Sequence, residues 1–208
     1  MRKVGLVLIA TSLLFPTQVS SAADTATATR SQYENALSAL NKLPVKGRAP
    51  KTGYSREQFP HWKDPDKNGC DSRNDILKRD LTKVVFKVDT NNCKVVAGTL
   101  LDPYSNKLIT FDLSKSASTI DIDHVVALSN AWQTGAFQLT LTQRTNFAND
   151  PLNLLAVDNK LNRQKGDGDA ATWLPPHKSY RCTYVARQVS VKAKYMLWVT
   201  APEKAAII

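Results

Sequence analysis

Asp123 and His124 stand side by side in the apolar run IDIDHVVAL, and Asn153, Asn162 and Lys165 follow further along the chain. These residue types suit hydrolytic chemistry. An imidazole has an ordinary pKa of about 6.5, so at neutral pH it is largely uncharged and can take a proton. The carboxylate of Asp123 and the amide oxygen of Asn162 are hard donors, which suit Mg²⁺ or Mn²⁺ better than zinc. Lys165 could contact a phosphate as a point charge. Each residue also has a quieter reading. His124 could be a hydrogen-bonded core histidine, and Asp121 and Asp123 the solvent face of an alternating strand. Asn153 and Asn162 could be turn and helix-surface residues, and Lys165 a solvated cation.

The elements that must position this set are legible in outline. TIDIDHVVAL reads as a strand, LNLLAV as a short strand, and DNKLNRQKGD as a short helix capped by Asp158, which together make a ββα unit. Successive strand residues point to opposite faces, so Asp123 and His124 share a pocket only where the strand bends or ends. Upstream, RSQYENALSALNKL has the spacing of an amphipathic helix, preceded by a flexible leader at 24–29. DSRNDILKRDL is a second helix with Asp71 or Ser72 as its cap, and TKVVFKVD and CKVVAGTLLD pair as a hairpin. TLTQRTNFANDP begins a helix stopped by Pro151, and residues 181–199 read as one final helix. The expected fold is α+β, a single domain built on the ββα core with an added hairpin and flanking helices.

The N-terminus has the order of a secretory signal peptide. Met1, Arg2 and Lys3 precede the apolar VGLVLIATSLLF and then small residues, with cleavage expected after Ala22 or Ala23. The divisions are thus 1–22 as signal peptide, 23–53 as helix and extended leader, and 54–208 as the functional domain. No second long apolar stretch follows, so stable membrane insertion of the mature chain is not expected. The net charge is +10, and removing Arg2 and Lys3, with no acid in residues 1–22, leaves +8. That balance admits nucleic acid, an anionic membrane or an acidic wall polymer as partner, without choosing among them. Cys70, Cys93 and Cys182 include no CxxC pair, which argues against a thiolate zinc site. In an oxidising compartment Cys70 and Cys93 are the expected bridge. Cys182 is then either buried and free or available to another chain.

The ordered run IDHVVAL, FANDPLNLLAV, NRQKGD and WLPP resembles the HNH, or ββα-metal (His-Me finger), nucleases. Within them it is similar to the secreted subgroup related to the C-terminal domain of GmrSD-type restriction enzymes. YSREQF, GCDSRNDILKRDL and DPYS share that likeness. In the family an Asp-His or His-His pair ends the first strand, an Asn opens the second, and a His or Asn follows nine residues later on the helix. The resemblance implies His124 as general base and Asp123 and Asn162 as ligands of a single Mg²⁺ or Mn²⁺. It implies that Asn153 holds the histidine loop by hydrogen bonds. The third letter of HNH is here Asn162, and the stretch from His124 to Asn153 is longer than in compact modules.

A phosphodiester resists water because its charge repels nucleophiles and its leaving alkoxide is poor, so a base and a cation are what a catalyst must supply. The expected function is a secreted, metal-dependent endonuclease acting on DNA, with RNA as a further candidate, and with little sequence specificity. Arg144 and Arg163 are candidate substrate contacts or simply surface charges. His61 and His177 have no place in the pattern. Trp132 and Trp173 read as core. Two rivals stand beside this reading: an inactive module that binds DNA or an anionic wall polymer, and a different hydrolase using paired carboxylates. The oligomeric state is not legible in the sequence.

Overall fold

Residues 22–115 and 119–208 are described by the computed structural model. The signal-peptide reading, apart from Ala22, lies outside the described residues. Helix α1 (Ala22–Lys42) starts earlier than the pattern of apolar residues suggests, taking in the stretch read as a flexible leader. Alanine, the strongest helix former, recurs through that stretch. Leu40 and Leu43 bury against Val189 and Val199 and so dock α1 on the C-terminal part of the chain. Residues 44–51 form neither helix nor strand apart from a parallel bridge from Val45 to Val199, and a turn follows at 52–53. A single 3₁₀ turn follows at Arg56–Gln58.

Helix α2 (Ser72–Asp80) is capped by Asp71, whose side chain accepts from the Asn74 N–H. Strands β1 (Thr82–Phe86), β2 (Val95–Leu101) and β3 (Leu108–Asp112) form an antiparallel sheet in that order. A Cys70–Cys93 disulfide joins the start of α2 to the turn leading into β2, as expected. Cys182 is free and exposed.

Strand β4 (Ile120–His124) pairs antiparallel with β5 (Leu154–Asp158), with His124 opposite Leu154 and Ile120 opposite Asp158. Helices α3 (Leu128–Gln133) and α4 (Leu141–Asn149) fill the connection. The continuous apolar run of β5 follows from burial on both faces. Leu154 and Ala156 pack with Ile76, Leu77 and the three-stranded sheet, while Leu155 and Val157 pack with Tyr104 and Tyr184. Helix α5 (Asn159–Lys165) follows directly, with the Asp158 side chain accepting from Lys160 and Leu161 N–H. Gly166, at φ 52°, ends it in a backbone conformation that glycine tolerates best. The described residues thus hold seven α-helices and two small antiparallel sheets, an α+β fold in one domain. No helix among them is long and apolar enough to cross a membrane.

The final helix differs from expectation. Helix α6 (Arg181–Lys194) stops five residues short of 199, Met196 turns the chain at φ 53°, and a separate helix α7 (Ala201–Ile207) follows. The cause is Lys192. Its buried ammonium bonds the Trp198 carbonyl and pairs with Glu203, so the chain must fold back over α6. Thr200 and Glu203 form a capping box at the start of α7.

Candidate active site

Asp123 and His124 are the last two residues of β4, and because the strand ends there both line one polar pocket of about 200 Å³. Both side chains are buried. The Asp123 carboxylate accepts from the Tyr104 hydroxyl at 2.5 Å and from the Lys165 ammonium at 2.8 Å. Burial, followed by the neighbouring Asp123 charge, holds the Tyr104 phenol well above its usual pKa, so it remains a donor. Lys165 also donates to the His124 carbonyl at 2.8 Å. Its side chain is fully enclosed, so the phosphate contact expected of it is not reachable from solvent. It serves instead as the buried ion-pair partner of Asp123.

His124 has a defined tautomer. Its Nε2 lies 2.9 Å from the Ala148 carbonyl, which can only accept, so Nε2 carries the proton and Nδ1 keeps a lone pair. Burial pushes the imidazole down to about 3, and the charges of Arg56, His61 and Lys165 add to this against the opposing pull of the Ala148 carbonyl. At neutral pH the ring is therefore uncharged. Asn153, fully buried, secures the chain just beyond it. Its Oδ1 accepts from the Val126 N–H at 2.9 Å, its Nδ2 donates to the Val126 and Phe147 carbonyls, and its own carbonyl accepts from Val125 N–H. The same residue thus ties the histidine loop to the end of α4, where Ala148 resides.

Asn162, on α5, lines the pocket and gives its Nδ2 to Asp121 at 3.3 Å, which leaves its amide oxygen available. Asp121 is occupied by that bond. Among the described residues no group of three or more histidines, cysteines or acids has the geometry to hold a metal. The donors that share the pocket are one carboxylate, Asp123, and one amide, Asn162. Each carboxylate oxygen retains a second lone pair beyond its hydrogen bond. Such a set suits a hard cation that keeps most of its water and completes its shell with a substrate phosphate, as Mg²⁺ does.

Arg144 and Arg163 are not among the residues lining this pocket. Arg144 donates to the Gln58 and Leu139 carbonyls and stacks over Trp132, so it supports the 3₁₀ turn from behind. Arg163 lies exposed on α5. Trp132 and Trp173 are packed among aromatic side chains. His177 is held by the Pro103 carbonyl and Ser179 and is not among the residues lining the pocket.

The pocket also contains residues that the sequence pattern did not single out. Tyr54, Arg56 and Asp167 line it. His61 packs edge-on against His124 with ring centres 6.2 Å apart, and the Trp62 ring lies 6.0 Å from His124. Residues 54–62 therefore form one wall. Their signal in the sequence was the motif YSREQF, whose likeness to the family was visible but whose contact with His124 was not. A larger hollow of about 400 Å³ lies beside Tyr195, with Asp150 and Lys194 in its lining already paired at 2.5 Å, and it contains no imidazole.

The chain matches the family model of the GmrSD restriction endonucleases, C-terminal domain, over residues 71–208. It is similar to a protein of Arthroderma benhamiae described as an uncharacterized secreted protein. The two are 43% identical over 174 residues, covering 83% of this chain and 81% of the relative. No solved structure matches it.

Proposed function

The chain belongs to the family of the GmrSD restriction endonuclease C-terminal domain, and from that premise we propose a secreted HNH-type endonuclease that hydrolyses phosphodiester bonds of DNA. One observation carries the reading. An uncharged imidazole of defined tautomer, with Nδ1 free to accept a proton, shares a polar pocket with a carboxylate and an amide oxygen. His124 is the general base that takes a proton from the attacking water. Asn153 fixes the loop on which that base sits. Asp123 and Asn162 would hold the divalent cation, Mg²⁺ or Mn²⁺. When bound there, the cation supplies positive charge to the phosphate and the leaving alkoxide. Lys165 and Tyr104 hold the Asp123 carboxylate in place by hydrogen bonds to its two oxygens. Secretion is supported by the leader-like N-terminus and by the description of the fungal relative.

The net charge of +10 on the full chain favours binding to the phosphate backbone, which is independent of sequence. The deciding experiment is nicking of supercoiled plasmid by the purified secreted protein, with and without chelator, and with RNA as a parallel substrate. Cleavage dependent on Mg²⁺ or Mn²⁺ is expected. DNA binding without cleavage under any divalent cation would replace this reading with that of a binding module.

A further inference from the structure

We infer that Arg56 is the residue that grips the scissile phosphate, an assignment that rests on the phosphodiesterase reading above. The argument is a charge inventory of the pocket. Two acids line it, and each already has a cation. Asp123 is paired with Lys165 at 2.8 Å, and Asp167 with Lys51 at 2.7 Å. Burial raises the Asp167 carboxyl, but the hydrogen bond and charge of the Lys51 ammonium work against it, and the group is held below the usual carboxylate range. Arg56 also lines the pocket, and its guanidinium has no hydrogen-bond or ion-pair partner among the described residues. With each lining acid counted together with the lysine that pairs it, Arg56 is the surplus positive charge at the site.

The position is also held. Phe59 is fully buried against Trp132 and Phe147 three residues after Arg56, and Tyr54 packs on Trp132 and on Phe59 itself two residues before it. Arg144 donates its Nε to the Gln58 carbonyl, and Asn149 donates to the Pro60 carbonyl. The backbone on either side of Arg56 is therefore anchored while its side chain stays exposed and unpaired. A planar guanidinium on a fixed turn matches two oxygens of a phosphate at once, which an ammonium cannot do. Arg56 lies outside the family-matched residues 71–208, so a segment preceding the matched region supplies the anion-binding wall.

The test uses the full secreted chain with Arg56→Ala and Arg56→Lys, and Arg30→Ala as the control for loss of one charge. Arg30 is exposed on α1 and paired with Glu34. Arg56→Ala should lower kcat by about 10²–10³-fold, the usual cost of removing one preorganised donor to transition-state charge. KM should change far less. Arg56→Lys should recover only part of kcat, and Arg30→Ala should cleave as the parent does. Binding of a short duplex, followed against salt, should show the slope of log affinity reduced by about 0.9 in Arg56→Ala, the loss of one phosphate contact. Parent-like kcat in Arg56→Ala would overturn the inference. If the parent itself cuts nothing, the nuclease reading fails, and an unchanged salt slope in Arg56→Ala would overturn the phosphate contact independently.

Discussion

The Lys165 ammonium lies 2.8 Å from the Asp123 carboxylate across 42 residues of sequence, and neither side chain is exposed beyond 5%. That pair sits directly under the proposed base, because Lys165 also bonds the His124 carbonyl. Removing one partner strands a buried charge. Lys165→Met should therefore destabilise the fold by about 3–5 kcal/mol, measured as a shift in urea unfolding. A change within about 0.5 kcal/mol, the range of an ordinary surface substitution, would show that Asp123 does not depend on this cation.

His124→Ala should lose most turnover, since general-base contributions are commonly about 10²–10⁴-fold. The variant should still bind DNA and Mg²⁺, because the ligands are Asp123 and Asn162. Asp123→Ala should weaken metal binding as well. His177→Ala serves as control, its ring being held by Pro103 and Ser179. Parent-like cleavage by His124→Ala would remove the mechanism.

Exhaustive chelation should abolish cleavage, and Mg²⁺ or Mn²⁺ should restore it. Calorimetric titration should show weaker Mg²⁺ binding in Asn162→Ala than in the parent. Full activity after metal removal would exclude the role given to Asp123 and Asn162.

Reducing the Cys70–Cys93 bridge, which spans 23 positions, should cost about 3 kcal/mol by loop-closure entropy. Non-reducing peptide mapping should find Cys70 joined to Cys93 and one reactive thiol at exposed Cys182. Unfolding unchanged by reduction would contradict the expected stabilisation.

Tyr104, Tyr184 and Tyr195 are all held above the ordinary phenol range, chiefly by burial. An unfolded tyrosine releases its proton at about pH 10, while these retain theirs in the fold. Above that pH the folded state binds more protons than the unfolded one, so stability must fall as pH rises. The phenolate absorbance of these three should appear only when the chain unfolds, together with the loss of ellipticity. Ionisation of these three phenols in a chain that is still folded would contradict the burial argument.

The sequence by itself determined the ββα core. The two-residue alternation of IDIDH, the continuous apolar run of LNLLAV and the Asp158 cap are local signals, and local hydrogen bonding and burial enforce them. It also carried the order of motifs shared with the family. The break after Lys194 was hidden, because apolar spacing continues smoothly through Met196, and only the buried Lys192–Glu203 pair forces the turn. The Thr200–Glu203 capping box was a readable signal of α7 that the apolar pattern overrode. The charges of the site depended most on tertiary structure. By residue type Lys165 and Arg56 are equally expected in solvent, yet one is enclosed and paired while the other lines the pocket unpaired. Which cation is neutralised depends on where distant acids lie. Electrostatic pairing acts through space, so only the packed chain decides which of its lysines and arginines is left for a substrate.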